Sequence, residues 1–449
     1  MNQKKKVFIS FLGVNTYRES KYYFKKDRSD IFGETPYVQE AIIRQWPFAE
    51  NALNQEGAEV LIFTTKAAYE KTYTQRITSF ANKERNTPDK FEEDGLEFKL
   101  QKLVEEGLIQ NFAHREIQDG FSEDEIWSIF DVIVNNIDEG TELYFDVTYG
   151  YRFLPLLTLS LINYLAAVKN CELKALFYGN FESGQAENEA KGLGRTALVT
   201  APIHILTNIV ELNQWTDAVE MFTKASYPDE LANLIKKENP KLASDVQKVA
   251  DAILNCRGHQ LTQEVDIDRI KNDINNLDGD EQISHQLRPI LKKIDDKLST
   301  LGNSTTLKGF HAVEWCIEHN MVQQGYTFLL ETTISWLIEE TEGARYINRE
   351  DYREIANGVL NKISANRLQL RASRRNSNLS EDKVKEIARS MERTIAPNRL
   401  HLTSNYKKMT GTGKRNDINH CGYKNNYATV GALKRDLKNI SDAIISIVS

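Results

Sequence analysis

The chain has 449 residues, of which 41% are hydrophobic and 27% charged, with nine prolines and a formal net charge of −7. That is a globular composition with room for two or three domains, and its acidic balance argues against a generic nucleic-acid binder. No apolar run reaches the roughly 20 residues that span a bilayer; the longest, FLPLLTLSLINYLAAV, contains Asn163 and Tyr164.

The opening MNQKKKVFISFLG passes straight from basic residues into a strand-like run, the expectation for a chain without a secretory leader. Residues 1–200 then alternate two patterns. Short β-type runs occur at KVFISFLG, EVLIFTT, ELYFDVT and KALFYGNF, and helix-like stretches at YVQEAIIRQW, EDEIWSIFDVIVNNI and LPLLTLSLINYLAAV. Continuous apolar strands alternating with helices imply a largely parallel sheet covered on both faces, a Rossmann-like α/β domain whose ligands bind beyond the carboxyl ends of the strands. From 201 to 304 the β signals vanish, and TDAVEMFTKA, DELANLIKKE and LASDVQKVADAIL read as the amphipathic helices of a connector. Residues 305–449 read as a C-terminal all-helical domain, so the expected class is α/β plus all-α. Charge is uneven: in 365–449, Lys and Arg outnumber Asp and Glu by more than two to one, which suggests a polyanion partner for that region or a basic face paired with an acidic one. Cys171, Cys256, Cys316 and Cys421 are far apart and show no metal-ligand spacing. They read as reduced thiols of a cytoplasmic protein with no metal site.

Two stretches carry chemistry. After the first strand, SFLGVNTY offers Ser10, Gly13 and Asn15, and after a later one DVTYGYR offers Thr148, Tyr149, Gly150, Tyr151 and Arg152 at the start of an apolar helix. Glycine at a strand-to-helix turn lets backbone N–H groups approach a ligand, and the helix N-terminus favours an anion. Arg152 suits a phosphate, or alternatively a surface ion pair; Tyr149 or Tyr151 could stack on a base. Asp146 reads equally as a ligand group and as a residue satisfying backbone at the strand end. No GxGxxG or P-loop pattern occurs, which argues against NAD binding or ATP hydrolysis. Near the C-terminus, KRNDINHCGY places Arg415 and His420 five residues apart. A histidine can exchange a proton at neutral pH, and an arginine can hold a phosphate and stabilise its developing charge. Together they suit cleavage of RNA, which brings its own 2′-hydroxyl nucleophile and needs no catalytic cofactor. Lys407, Lys408 and Lys414, with RLQLRASRR upstream, could track a phosphate backbone. Taken alone, the pair reads more readily as a surface histidine beside a surface arginine. Asn416 and Asp417 suit a helix N-cap, with Arg415 at its mouth.

These motifs in combination resemble the CRISPR-associated ancillary ribonucleases of type III systems, which join an N-terminal CARF sensor domain to a C-terminal HEPN ribonuclease domain. VFISFLGVNTY followed by YVQEAI looks like the opening of that family, DVTYGYRFLP resembles its D-x-T-H-G motif, and RNDINH fits the HEPN pattern. The resemblance implies a homodimer whose paired CARF domains bind cyclic oligoadenylate as an allosteric activator. The paired HEPN domains would then form one composite, metal-independent site for single-stranded RNA. It implies that Arg415 and His420 are catalytic, with Asn416 orienting them, and that products carry a 2′,3′-cyclic phosphate and a 5′-hydroxyl. Tyr149 stands where the motif has histidine, which leaves ring size and any breakdown of the activator open. The competing reading is a non-catalytic cyclic-nucleotide-sensing regulator or nucleic-acid-binding protein. DNA cleavage would require a metal–carboxylate cluster.

Overall fold

The computed structural model describes residues 4–15, 17–46, 53–81, 88–194, 196–237, 239–276, 284–299, 301, 305–368, 379–410, 414–423 and 427–448. The chain divides into two compact units, Met1–Glu211 and Leu212–Ser449.

The first unit is built on strands β1 (Lys6–Leu12), β2 (Ser20–Tyr23), β3 (Phe32–Thr35), β4 (Glu59–Thr64), β5 (Gln75–Ala81), β6 (Pro88–Asp94), β7 (Phe112–Glu116), β8 (Glu142–Asp146), β9 (Glu172–Gly179) and β10 (Val199–Ile205). Eight form one sheet in the order β3-β2-β10-β9-β8-β1-β4-β7, and β5 pairs with β6 separately. The run β9-β8-β1-β4-β7 is parallel throughout, whereas β10 lies antiparallel to β9 and β3 antiparallel to β2. β1 sits in the middle of that parallel run, with Ile9 opposite Leu61 of β4 on one side and Phe145 of β8 on the other. Its side chains alternate between two cores: Phe8 and Leu12 join the cluster on one face, and Val7, Ile9 and Phe11 the cluster on the other. That two-sided burial is why β1 reads as an unbroken apolar run. From β1 the chain builds outward to β4 and β7, then returns to place β8 on β1's other side. The β1/β8 junction is therefore the topological switch point, where α/β sheets hold their ligands.

The expected strands in residues 1–200 are present as β1, β4, β8 and β9. The structure adds six more, and β10 runs through the 200/201 boundary, so the α/β unit extends to Glu211.

Residues 212–449 are helical among the described residues. The long helix Val322–Glu342 buries residues along its whole length and packs against Thr305–Glu318, Glu350–Leu360, Glu381–Ile395, Arg399–Met409 and Val430–Val448. One core runs from Trp215 and Val249 through Trp315 and Leu329 to Met391 and Ile440. The stretch expected as a connector thus shares its core with the helices beyond residue 304. Caps follow the sequence: Asn239 Oδ1 accepts from Leu242 N–H at 3.0 Å ahead of Pro240, and Ser380 accepts from Lys383 N–H. No described helix is long and apolar enough to cross a membrane.

Candidate functional site

The loops leaving β1 and β8 lie side by side at the switch point. A Cβ on Gly13 would sit 3.7 Å from the Gly150 backbone, so the two glycines let the chains run in van der Waals contact. Gly150 has φ +107, a conformation that side-chain-bearing residues rarely adopt, and a Cβ there would come within 2.6 Å of Leu154 Cδ1. Helix Leu154–Lys169 follows at once, with Pro155 in its first turn and no side-chain cap; the Leu154 N–H donates to the Tyr151 carbonyl at 3.0 Å and the Leu157 N–H to the Phe153 carbonyl at 2.9 Å. Gly13, Asn15, Thr65, Gly150 and Tyr151 line a small recess between the loops. Asn15 and Arg152 are exposed at this end of the sheet.

Beneath the loops lies a buried carboxylate. Asp146, at the end of β8, is fully buried and accepts hydrogen bonds from Ser10 Oγ at 2.7 Å, from the Thr148 N–H at 3.0 Å and from the Thr148 hydroxyl. The Gly179 N–H donates to Thr148 Oγ1 at 2.7 Å, and Gln39 Nε2 donates to Ser10 Oγ at 2.9 Å. The network thus clamps β1, β8, the β8 loop, the end of β9 and helix Val38–Gln45 at one point. Burial pushes the Asp146 carboxyl up to about 6, and the bonds from Thr148 and Ser10 oppose that rise. Of its two sequence readings, the structure assigns Asp146 the one that satisfies the strand end. Ser10 is likewise fully buried and holds the carboxylate rather than facing the rim.

The tyrosines divide. Tyr149 turns inward: its ring lies 4.4 Å from that of Tyr17, and its hydroxyl is 3.3 Å from both the Pro36 carbonyl and the Tyr22 hydroxyl. Burial raises its phenol far above the usual range, so it is a neutral hydrogen-bonding group inside the unit. Tyr151 is exposed, stacks parallel to Phe153 at 5.9 Å and donates to Asp119 Oδ1 at 3.0 Å. Sequence reasoning missed the groups that hold the first loop. The Gly13 N–H donates to the Tyr17 hydroxyl at 2.9 Å, and the Gly13 carbonyl accepts from Thr72 Oγ1 at 2.9 Å. The Gly13 amide expected to face a ligand is therefore already bonded. Thr72 lies in a π-helical turn, Tyr69–Tyr73, a form that recurs at functional sites. No sequence signal marked Gln39 either, since a polar residue on a helix reads as solvent-facing.

In the helical unit, KRNDIN forms a helix from Lys414 to Asn419. It starts before the expected cap, and Asp417 does different work: it is buried, and its Oδ2 accepts from the Ala428 N–H at 2.7 Å, tying this helix to the start of the last one. The chain then leaves through Cys421 and Gly422 at φ 53 and 70, with the Gly422 N–H on the Asp417 carbonyl at 3.0 Å. Arg415 is half-buried, and its Nε meets no hydrogen-bond acceptor among the described residues. Its charge acts on Cys256 and on Tyr406, a phenol that burial pushes well up, Glu331 raising it further and Arg353 and Arg415 opposing. His420 is exposed on the turn after the helix, and no hydrogen bond joins it to Arg415 among the described residues. Residues five apart on a helix lie about 140° around the axis, in keeping with one side chain inward and the other outward. Lys407 and Lys408 are exposed, while Lys414 pairs with Asp436 at 2.9 Å. The Asn416 side chain and residues 369–375 of the basic run lie outside the described residues. No group of three or more His, Cys, Asp or Glu among the described residues is placed to hold a metal ion.

A mostly parallel sheet with a loop site at its switch point defines a ligand-binding α/β domain. Comparison makes the class specific: residues 7–182 match the family described as CRISPR system endoribonuclease Csx1, CARF domain, and residues 211–304 match CRISPR-associated protein MJ1674, second domain. CRISPR-associated protein MJ1674 of Methanocaldococcus jannaschii is 23% identical over 395 residues, covering 81% of this chain and 58% of that protein. The chain thus spans less than two thirds of that relative's length. These likenesses give the N-terminal unit a CARF character and support a place in the CRISPR type III ancillary family. Both family matches end by residue 304, so the role of the last helices rests on their own geometry.

Proposed function

We propose that the protein is a cyclic-oligoadenylate-activated, metal-independent endoribonuclease of type III CRISPR defence, acting as a homodimer. The observation that carries this reading is the coincidence of the CARF match with a loop site at the β1/β8 switch point, in a chain that also holds the Arg415/His420 pair. Asn15, the Gly150 turn, Tyr151, Arg152 and the N-terminal end of helix Leu154–Lys169 would receive the ring's phosphates and bases at the rim. Ser10, Thr148 and Tyr149 would act from below, fixing the loops through Asp146 and the tyrosine cluster. Two features favour a second copy of the chain. Helices Glu123–Asn135 and Leu154–Lys169 leave Trp127, Leu156, Tyr164 and Val168 exposed on the same unit, an apolar face that pairing would cover. Arg415 and His420 are not joined to each other among the described residues, and on this reading a partner's pair would complete the site.

In that site His420 exchanges the proton of the attacking 2′-hydroxyl or the leaving 5′-oxygen, and Arg415 stabilises the charge on the phosphate. Asn416 would orient the pair, and Lys407, Lys408 and Lys414 would hold the RNA backbone. Ring binding would shift the population of cutting-competent dimers. A non-catalytic sensor is the second reading, favoured by the inward turn of Arg415 away from the exposed His420. His420→Ala separates the two: an enzyme loses RNA cutting and keeps ring binding, whereas a regulator is unchanged.

A further inference from the structure

The helical unit contains a cavity that the activator site does not use. About 380 Å³ in volume, it lies between the turn after Cys256 and helices Thr305–Glu318 and Val322–Glu342, within the range of ~300–1,000 Å³ common to small-molecule sites. Its floor is apolar, from Phe328 and Ile347, and its walls are polar: Thr262, Thr327, Glu331 and Ser335.

The lining has a definite hydrogen-bonding sense. The hydroxyls of Thr262, Thr327 and Ser335 donate to carbonyls one turn back, those of Gly258, Gln323 and Glu331, at 2.8, 3.0 and 2.9 Å. With their protons engaged, they turn acceptor lone pairs to other partners. Arg353 is committed to the wall, bonding Ser335 Oγ, the Ile347 carbonyl, the Glu331 carbonyl and Glu331 Oε2 at 2.7–3.1 Å. It fixes the Glu331 carboxylate, whose side chain is 47% exposed, and leaves its remaining acceptor sites open. Cys256 closes one end of the cavity, and beside it the Gly258 turn leads to His259 and Thr262. Acceptors along the wall and an apolar floor together suit a base that presents adjacent N–H donors. Of the four RNA bases, guanine alone offers a ring N–H beside an amino group.

We propose that this cavity is a guanine site, the base N–H edge on Glu331 with Thr327 and Thr262 beside it. Resting on the ribonuclease reading above, it would seat a guanosine of the RNA substrate and so set cleavage preference.

The test uses the full-length protein and two variants, Glu331→Gln and Thr327→Val, with thermal melts to show that each is folded. Calorimetric titrations with 5′-GMP, 5′-AMP and inorganic phosphate read the site directly. Cutting of guanosine-containing and guanosine-free single-stranded RNAs, with activator present, reads its use. The site predicts that GMP binds more tightly than AMP or phosphate, that Glu331→Gln loses about tenfold or more of GMP affinity, the size of one hydrogen bond to a charged group, and that Thr327→Val loses about two- to tenfold, the size of a neutral one. It also predicts that Glu331→Gln loses the preference for guanosine. GMP binding that is no tighter than phosphate, or unaltered in folded variants, overturns the proposal even if RNA is cut. Selective GMP binding lost in the variants, with no RNA cut by any protein, upholds the site and removes the ribonuclease reading instead.

Discussion

Replacing Asp146 by asparagine isolates the energetic cost of the buried carboxylate at the switch point. Its carboxyl is pushed from 3.8 up to about 6 because the side chain is fully buried, despite three hydrogen bonds. In that interval the folded protein holds a proton that the unfolded chain has lost, so stability falls as pH rises from 3.8 to about 6 and stays lower above it. A gap of about two pH units, at about 1.4 kcal/mol each, amounts to about 3 kcal/mol. Asparagine does not titrate, and its difference in hydrogen bonding from aspartate is independent of pH. Asp146→Asn should therefore gain about 3 kcal/mol relative to wild type between pH 4 and pH 7. Urea unfolding of both proteins across that range, followed by the fluorescence of Trp127 or another probe of the N-terminal unit, measures the difference. A difference constant across the range would refute the assignment of an uncompensated burial cost to Asp146.

Other perturbations test the loops and the dimer. Gly150→Ala places a Cβ at φ +107 against Leu154; it should destabilise the N-terminal unit by about 1–3 kcal/mol and weaken ring binding, as unfolding and calorimetry would read. Tyr149→Phe removes only inward hydroxyl contacts to Pro36 and Tyr22, so it should cost about 1 kcal/mol of stability and leave ring affinity within twofold or so; a large loss of affinity would mean that the phenol reaches the ligand. Leu156→Lys with Val168→Glu places charges on the exposed apolar face, and sedimentation should show monomers where wild type shows dimers.

Much of the architecture was legible because burial leaves a pattern. β1, β4, β8 and β9 lie within the parallel run and read as apolar stretches. β3 (FGET) and β7 (FAHRE) are edge strands carrying charge, as exposed edges do, and β10 (VTAPIHI) is broken by Pro202, so none of them announced itself. The glycine turns at the switch point were legible because their backbone demands glycine at 150. What holds those turns was not: Gln39, Tyr17 and Thr72 are distant in sequence and meet only in the fold. Asp417 shows the same limit, since a helix cap and a tie to Ala428 require the same residue type. The direction of Arg415 depends on which face of a six-residue helix packs inward, and the surrounding polar sequence does not say.

The central claim is that a cyclic oligoadenylate switches on RNA cutting at Arg415 and His420. It is tested most directly by following a fluorescent single-stranded RNA in EDTA, with no ligand, cyclic tetra-adenylate or cyclic hexa-adenylate, using wild type and His420→Ala. The account predicts cutting with one ring only, abolished in the variant while calorimetry shows that the ring still binds. Ring binding without cutting in wild type, or equal cutting by His420→Ala, would contradict it.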